Sequence, residues 1–279
     1  MRIGAHVRRR AGGVAGGVEE ARKRGADCVQ VFVSNPRGWA PPHPTDEEAA
    51  AFRAVWEPSG LRPLVAHAPY LVNVASANPE FLERSRALAR DTLAACAMFG
   101  VDMLVVHAGT GGDDPIERIV ARAADSVREI AASEAGPTRL LIELEEGIPA
   151  ASASTIGQAA RLLEAADVPG VGLCLDTCHL FVAGYELDRE SGVARLFDEL
   201  RATGLLDRVV LFHANDAMFP CGSRRDRHEN IGDGFIGIEG FRALLPRPEV
   251  ADLAFILETP GDAERQARDI ELLRSWSAG

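Results

Sequence analysis

The stretch MLVVH (103–107) sets the pattern that decides the fold, because five further stretches repeat it. Each is a short apolar run that ends in a histidine or a carboxylate and lies between amphipathic segments with helical spacing. The others are LVAH (64–67), LLIE (140–143), GLCLD (172–176), VVLFH (209–213) and AFILE (254–258). With two more strand candidates at 2–6 and 28–33, the chain alternates eight strands with helices, which predicts an α/β protein.

Eight strand–helix units of this length predict a (β/α)8 TIM barrel whose active site lies at the C-terminal face of the strands. A doubly wound open sheet is the structural alternative, but AGGVAGG (11–17) after the first strand lacks the spacing of a dinucleotide-binding loop. Barrels of this class often form one unit of about 250 residues, so we predict a single domain over residues 1–279.

The composition is that of an ordinary globular protein. No apolar run of about 18 residues or more predicts a membrane span, and the N-terminus does not resemble a signal peptide. The five cysteines are an odd number and lie mostly in apolar runs, so we predict buried, reduced thiols and a cytoplasmic location. No protein partner is implied, and we expect a monomer.

Candidate metal ligands gather at the predicted strand ends. Five histidines and four carboxylates qualify: His67, His107, Glu143, Asp176, His179, His213, Asp226, His228 and Glu258. Strand ends of a barrel face one pocket, and the chain has only seven histidines, so we predict a site for several divalent metals. These ligand types suit zinc, with manganese or iron as rivals. Asp216 is a candidate supporting partner for His213.

The net charge of −11 is unfavourable for a protein that binds nucleic acid, because affinity for DNA comes largely from neutralising phosphates. Three divalent cations would place six positive charges at one point, so an acidic chain can still present a locally positive groove.

Three segments stand out: GLCLDTCHLFVAGY (172–185), HAND (213–216) and GSRRDRHENIGDGFIG (222–237). They resemble the endonuclease IV family, the zinc-dependent apurinic/apyrimidinic endonucleases of base-excision repair. The resemblance extends over almost the whole chain, to IGAHV (3–7), residues 35–39, residues 67–71 and FILETP (255–260). It implies a (β/α)8 barrel with three zinc ions, with Mn²⁺ or Fe²⁺ as an alternative at one site.

The resemblance also divides the nine ligands into three groups. It implies a first group of His67, His107 and Glu143, a second of Glu143, Asp176, His213 and Glu258, and a third of His179, Asp226 and His228. Glu143 would bridge two metals and is the predicted catalytic residue. Metal coordination lowers the pKa of water to about 7, which supplies a nucleophile. The implied reaction is hydrolysis of double-stranded DNA 5′ to an abasic site, leaving a 3′-hydroxyl and a 5′-deoxyribose phosphate.

Six residues are candidate DNA contacts. The resemblance implies that Arg37, Tyr70 and Leu71 enter the minor groove and help displace the abasic nucleotide, which costs least where no base has to be unpaired. Arg224, Arg225 and Arg227 are natural phosphate contacts. The simpler interpretations are core packing for Tyr70 and a solvated basic loop for the three arginines.

The chain departs from the family pattern beside the predicted site. Leu144-Glu145-Glu146-Gly147 replaces the usual Asn-Thr-Ala-Gly, and the two extra carboxylates would repel a phosphate or bind a cation. Ala68-Pro69 and the basic run Arg8-Arg9-Arg10 also differ. These changes leave the ligands in place and bear on DNA geometry and rate.

Two other functions compete with the endonuclease. A metal-dependent sugar isomerase or epimerase on the same barrel would use Glu143, Asp176, His213 and Glu258 to bind one metal. That hypothesis leaves the other five ligands without a function. The second competitor is a metal-bound DNA-binding protein with weakened catalysis, prompted by the two extra carboxylates.

Overall fold

A computed structural model describes residues 1–7, 13–133 and 136–277, so the Arg8–Arg10 run lies outside the described residues. Eight parallel strands close a barrel, which confirms the predicted fold. They are β1 (Arg2–His6), β2 (Cys28–Val31), β3 (Leu64–His67), β4 (Met103–His107), β5 (Arg139–Glu143), β6 (Gly172–Asp176), β7 (Val209–His213) and β10 (Ala254–Leu257). Around the barrel the order is β1-β10-β7-β6-β5-β4-β3-β2. The single-domain interpretation stays a prediction.

Helices cover the outside of the barrel. They are α1 (Gly13–Lys23), α2 (Asp46–Trp56), α3 (Pro79–Phe99), α4 (Ile116–Ala131), α5 (Ile156–Ala166), α6 (Thr177–Ala183), α7 (Glu190–Ala202), α8 (Gly237–Leu244) and α9 (Ala263–Ser277). Local signals explain several of these bounds. Thr45 and Thr155 form capping boxes before α2 and α5, and Gly100 ends α3 in a left-handed conformation with φ 70°. Pro115 immediately precedes α4, where its missing N–H costs no helical hydrogen bond.

The core has two parts. A small cluster that includes Val65, Val105, Leu141 and Leu211 fills the barrel interior, and a larger one lies between the strands and the helices. At Gly4 a Cβ would lie 1.8 Å from the carbonyl oxygen of Cys28, so the packing of β1 against β2 requires glycine here.

The cysteines are free, as predicted, and all but one are buried. Burial raises the pKa of Cys174 to about 12, which favours a packed thiol over a thiolate ligand.

Two strands outside the barrel carry part of the C-terminal face. β8 (Asp216–Ala217) and β9 (His228–Glu229) pair antiparallel and form a hairpin with the loop between them. The carboxylate of Asp216 accepts hydrogen bonds from the backbone N–H groups of Ala217, Gly232, Gly234, Ile236 and Gly237. Asp216 therefore holds the loop that follows β9, and the prediction that it supports His213 is wrong.

None of the helices in residues 1–7, 13–133 and 136–277 is both long enough and apolar enough to cross a membrane.

A candidate three-group metal centre

The strand register brings the predicted ligands together on one rim of the barrel. His107 is the register partner of Glu143 across β4 and β5, and Asp176 is the partner of His213 across β6 and β7. His67 ends β3, and Glu258 follows β10 directly. The remaining three ligands come from elements above this rim. His179 lies on α6, His228 lies on β9, and Asp226 lies just before β9.

The first group consists of His67, His107 and Glu143. Oε2 of Glu143 lies 3.2 Å from Nε2 of His67 and 3.7 Å from Nε2 of His107. One ligand atom from each residue falls within 4.8 Å of the others, a spacing that a single cation can span. Glu143 is only 1% exposed, so its charge must be compensated locally.

The second group shares Glu143 with the first and adds Asp176, His213 and Glu258. Nδ1 of His213 lies 2.8 Å from Glu143 Oε1, 3.5 Å from Glu258 Oε2 and 3.9 Å from Asp176 Oδ2. The two oxygens of Glu143 thus face two different groups, as a bridging carboxylate requires.

The third group consists of His179, Asp226 and His228. Nε2 of His179 lies 3.7 Å from Asp226 Oδ2, and Nε2 of His228 lies 3.3 Å from Asp226 Oδ1. His228 is also 3.5 Å from Oδ2 of Asp176, so this group adjoins the second. The structure thus brings all nine residues together in the three predicted sets, while their function as ligands stays a prediction.

The nitrogen of His228 that faces these carboxylates fits a metal ligand. Among the described residues it is buried and makes no hydrogen bond of good geometry, although Oδ1 of Asp226 lies 3.3 Å away. Leaving a buried polar atom unpaired costs about 1–3 kcal/mol, and a cation between His228 and Asp226 would remove that cost. Histidine nitrogen and carboxylate oxygen are also the ligands that zinc takes in catalytic sites.

The electrostatics of the centre also favour cations. Burial lowers the pKa of His107, but Glu143 and Glu145 outweigh it and raise the pKa to about 9. At His228, burial again lowers the pKa, but Asp176 and Asp226 outweigh this effect and raise the pKa to about 9. Positive charge therefore stabilises these carboxylates, and either protons or metals can supply it. Because ligation requires neutral histidine, we expect metal affinity to fall as the pH drops through this range.

Backbone carbonyls orient two of the histidines. Nδ1 of His67 lies 2.7 Å from the carbonyl oxygen of Ala68, and Nδ1 of His179 lies 2.9 Å from that of Leu144. In both cases the other ring nitrogen, Nε2, faces the carboxylate of the ligand group to which the histidine belongs. This arrangement is usual for metal-bound histidine.

Sequence reasoning missed His6 and Gln30. His6 ends β1 as several predicted ligands end their strands, and its Nδ1 lies 3.5 Å from Oε1 of Glu258. Gln30 is fully buried in β2, where it bonds both His213 and Glu258. The sequence signal that could have identified Gln30 is its position as the lone polar residue in the apolar run CVQV (28–31), because a buried polar group needs partners.

The extra carboxylates after β5 differ from each other. Glu145 is 7% exposed, accepts a 2.7 Å hydrogen bond from the backbone N–H of Gly109, and lies 3.5 Å from Nδ1 of His107. Glu145 therefore faces a histidine of the first group and also lines the cleft above the centre, and its effect on a phosphate or a cation stays a prediction. Glu146 is partly exposed and lines the cleft, and burial raises its pKa.

A cleft of about 1350 Å³ opens above the three groups. Arg37 and Tyr70 line it together with residues of all three groups. Tyr70 is 62% exposed and its ring packs edge-on against Phe32 at 5.2 Å, so the core-packing interpretation of Tyr70 is wrong. Leu71 beside it is partly buried.

Arg224, Arg225 and Arg227 are exposed on the loop that carries Asp226. The guanidinium of Arg225 stacks over the ring of Phe219 at 3.6 Å, which gives this part of the loop a defined position. The positions of the three arginines are compatible with phosphate contacts, and their function stays a prediction.

Known proteins share both the fold and the sequence pattern. Residues 18–276 match the family model described as a xylose isomerase-like TIM barrel. "Probable endonuclease 4" of Chloroflexus aurantiacus is 38% identical, over 100% of this chain and 99% of that protein. The crystal structure of endonuclease IV from Thermus thermophilus superposes with a TM-score of 0.86 at 37% identity, covering 99% of this chain and 98% of that one.

A D-tagatose 3-epimerase-like protein superposes with a TM-score of 0.76 over 99% of this chain and 97% of that one. At 17% identity, this likeness concerns the fold alone.

The closed barrel and the histidine–carboxylate groups on its rim define the class of protein. It is a xylose isomerase-like barrel enzyme with candidate metal sites at its strand ends. Within that class the relatives at 34–38% identity are named "Probable endonuclease 4". The chain belongs to the endonuclease IV family and is a nuclease, as the sequence resemblance predicted.

Proposed function

We propose that this nuclease is a zinc-dependent apurinic/apyrimidinic endonuclease that hydrolyses the phosphodiester 5′ to an abasic site in double-stranded DNA, in base-excision repair. The observation that carries the proposal is the third group, His179, Asp226 and His228, beside the second. A sugar epimerase would need only the second group, so it gives the third no function.

Divalent cations in the three groups would stabilise charge on a phosphate and lower the pKa of a water molecule in the cleft. Glu143 holds the first two groups at a fixed spacing, because its two oxygens face different groups. Asp176 is fixed as well, since its Oδ1 accepts backbone hydrogen bonds from Cys178 and His179 at the start of α6. The ligands are thus preorganised, which is the main contribution a protein makes to such a site.

Charge balance supports an anionic substrate. The four ligand carboxylates contribute −4, against +6 from three divalent cations. Glu145 adds a charge but faces His107, where it supports that ring. The hypothesis of a DNA-binding protein with weakened catalysis rested on two extra carboxylates, and one of these two is paired with a histidine.

Selectivity for abasic DNA would come from Arg37, Tyr70 and Leu71. Tyr70 projects its ring from a loop at the cleft, where it can wedge into a base step. Unstacking costs a few kcal/mol, and the cost is lowest where a base is missing. Cytoplasmic location, monomeric state and the phosphate contacts of the arginine loop remain parts of the proposal that need separate tests.

We expect Tyr70→Ala to weaken binding to an abasic duplex by about tenfold or more while leaving the metal content unchanged, because base–aromatic stacking contributes about 1–3 kcal/mol. Tyr70→Phe is the matched control, since it keeps the ring and should bind almost as the wild type does. Fluorescence anisotropy with abasic and intact duplexes measures both. Equal affinity of Tyr70→Ala and wild type for the abasic duplex would rule out the wedge.

The function itself is tested by incubating the protein with a duplex that contains one abasic site. We expect a single cut 5′ to the site, with a 3′-hydroxyl that a DNA polymerase can extend, and no cut in the intact duplex. A chelator should abolish the cut and added zinc should restore it. Cleavage that persists in chelator, or a 3′ end that polymerase cannot extend, would contradict the proposal.

A further inference from the structure

We propose that Gln30 is a positioning residue that orients two predicted ligands of the second group, His213 and Glu258, for a divalent cation. The inference rests on the proposed function for the cation itself. Gln30 contributes no ligand atom to any of the three groups. It lies in β2, which is separated from β7, the strand that carries His213, by β1 and β10.

The amide of Gln30 reaches three side chains of the centre. Its Oε1 lies 2.9 Å from Nε2 of His213, and its Nε2 donates a 2.6 Å hydrogen bond to Oε1 of Glu258. The same Nε2 lies 3.0 Å from Nδ1 of His6. Gln30 is fully buried, so these contacts are what make a polar side chain tolerable inside the barrel.

Only one orientation of the amide satisfies these contacts. The NH₂ end must face Glu258, because a carboxylate accepts hydrogen bonds and an amide oxygen cannot donate one. The carbonyl end then faces Nε2 of His213, which must carry the proton. Gln30 thereby selects the tautomer of His213.

That tautomer leaves Nδ1 of His213 as the nitrogen available to a cation. Nδ1 lies among the oxygens of Glu143, Glu258 and Asp176, at 2.8, 3.5 and 3.9 Å. Without an acceptor at Nε2, the ring could carry its proton on Nδ1 and would then be unable to ligate.

Glu258 is oriented by the same contact. Its Oε1 is engaged by Gln30, so its Oε2 is the oxygen left facing His213 and the second group. A second amide acts in the same way: Asn215 donates to Oδ2 of Asp176 at 2.7 Å, and its Oδ1 accepts from the backbone N–H of Glu258 at 2.8 Å. Two neutral amides thus hold the second group without adding charge.

The test replaces Gln30 by methionine, which fills a similar volume without hydrogen bonds. In a titration of the zinc-loaded protein with dipicolinate, Gln30→Met should release one zinc at about 10–100-fold lower chelator concentration than the wild type, as is typical when a supporting contact to a ligand is lost. The other two should follow the wild-type curve. In the zinc-free protein, where no metal fixes the ring, nitrogen-15 NMR of the imidazoles should show that His213 loses its preference for the Nε2–H tautomer.

Gln30→Glu separates the two contacts of the amide. It keeps an acceptor for His213 but loses the donor and sets a carboxylate against Glu258. We expect the His213 tautomer to persist while one zinc is again released early. Should Gln30→Met fail to fold, this variant alone decides the matter.

Gln266→Met is the matched control. Gln266 is 7% exposed, accepts a 2.7 Å hydrogen bond from Arg24 and donates one of 2.7 Å to the carbonyl of Thr259, but it is not in any of the three groups. Its loss should leave all zinc release curves unchanged.

Wild-type zinc release in both Gln30 variants would overturn the inference. A wild-type protein that holds fewer than three zinc ions would instead contradict the proposed function. In that case the His213 tautomer in Gln30→Met still decides whether Gln30 positions the ring.

Discussion

Glu143→Gln is expected to lower incision of an abasic duplex by at least about a hundredfold, because the change removes the carboxylate shared by two predicted metal groups. The side chain is 1% exposed and its two oxygens lie within 3.2 Å of His67 and 2.8 Å of His213. Glutamine has nearly the same volume, so the barrel should still form. The loss should therefore appear in the rate and in the metal content, with circular dichroism unchanged.

Glu229→Gln is the control for this variant. Glu229 lies on β9 beside His228, and its Oε1 accepts a hydrogen bond from the backbone N–H of Asn230 that a glutamine can also accept. The same change of charge at this position should leave incision within about twofold of the wild type. A Glu143→Gln protein that cuts at the wild-type rate would show that the shared carboxylate is not needed.

Asp226→Asn is expected to remove one zinc of three and to lower incision by about a hundredfold or more, because Asp226 is the only carboxylate of the third group. The histidines of that group, His179 and His228, lie 3.7 and 3.3 Å from it and lose their shared anionic partner. The first two groups keep all their ligands, so about two zinc ions should remain.

This variant also distinguishes the two barrel chemistries. A sugar epimerase that uses the second group alone would keep its full metal content and activity in Asp226→Asn. Asp233→Asn is the matched control, since Asp233 is an exposed residue of the following loop that pairs with Arg265 at 2.6 Å. It should cut like the wild type. Full activity of Asp226→Asn on abasic DNA would exclude a catalytic function of the third group.

The sequence predicted the barrel well because the strand-ending runs combine two signals, apolar content and a terminal polar residue. In a parallel barrel these ends meet on one rim, so chain position alone indicates which residues share a pocket. His107 and Glu143 illustrate this, since they are register partners of adjacent strands. The grouping of the nine residues came from the family resemblance, and the structure brings the same sets together.

The sequence could not predict contacts that depend on the direction of a side chain or on the path of a loop backbone. Gln30 lies in a strand buried on both faces, where no alternation shows that it points into the barrel. Asp216 was assigned to His213 because the two are close in sequence, whereas its oxygens bond backbone N–H groups as far along the chain as Gly237. Glu145 was expected to repel a phosphate or bind a cation, and only the fold shows that Gly109 and His107 lie against it.

Counting the metal ions tests the central claim most directly. The account predicts about three zinc ions per chain in the purified protein by elemental analysis, and a metal-loaded crystal structure should place one in each of the three groups, including that of Asp226 and His228. A single ion bound by Glu143, Asp176, His213 and Glu258, with the third group empty at saturating zinc, would contradict the account.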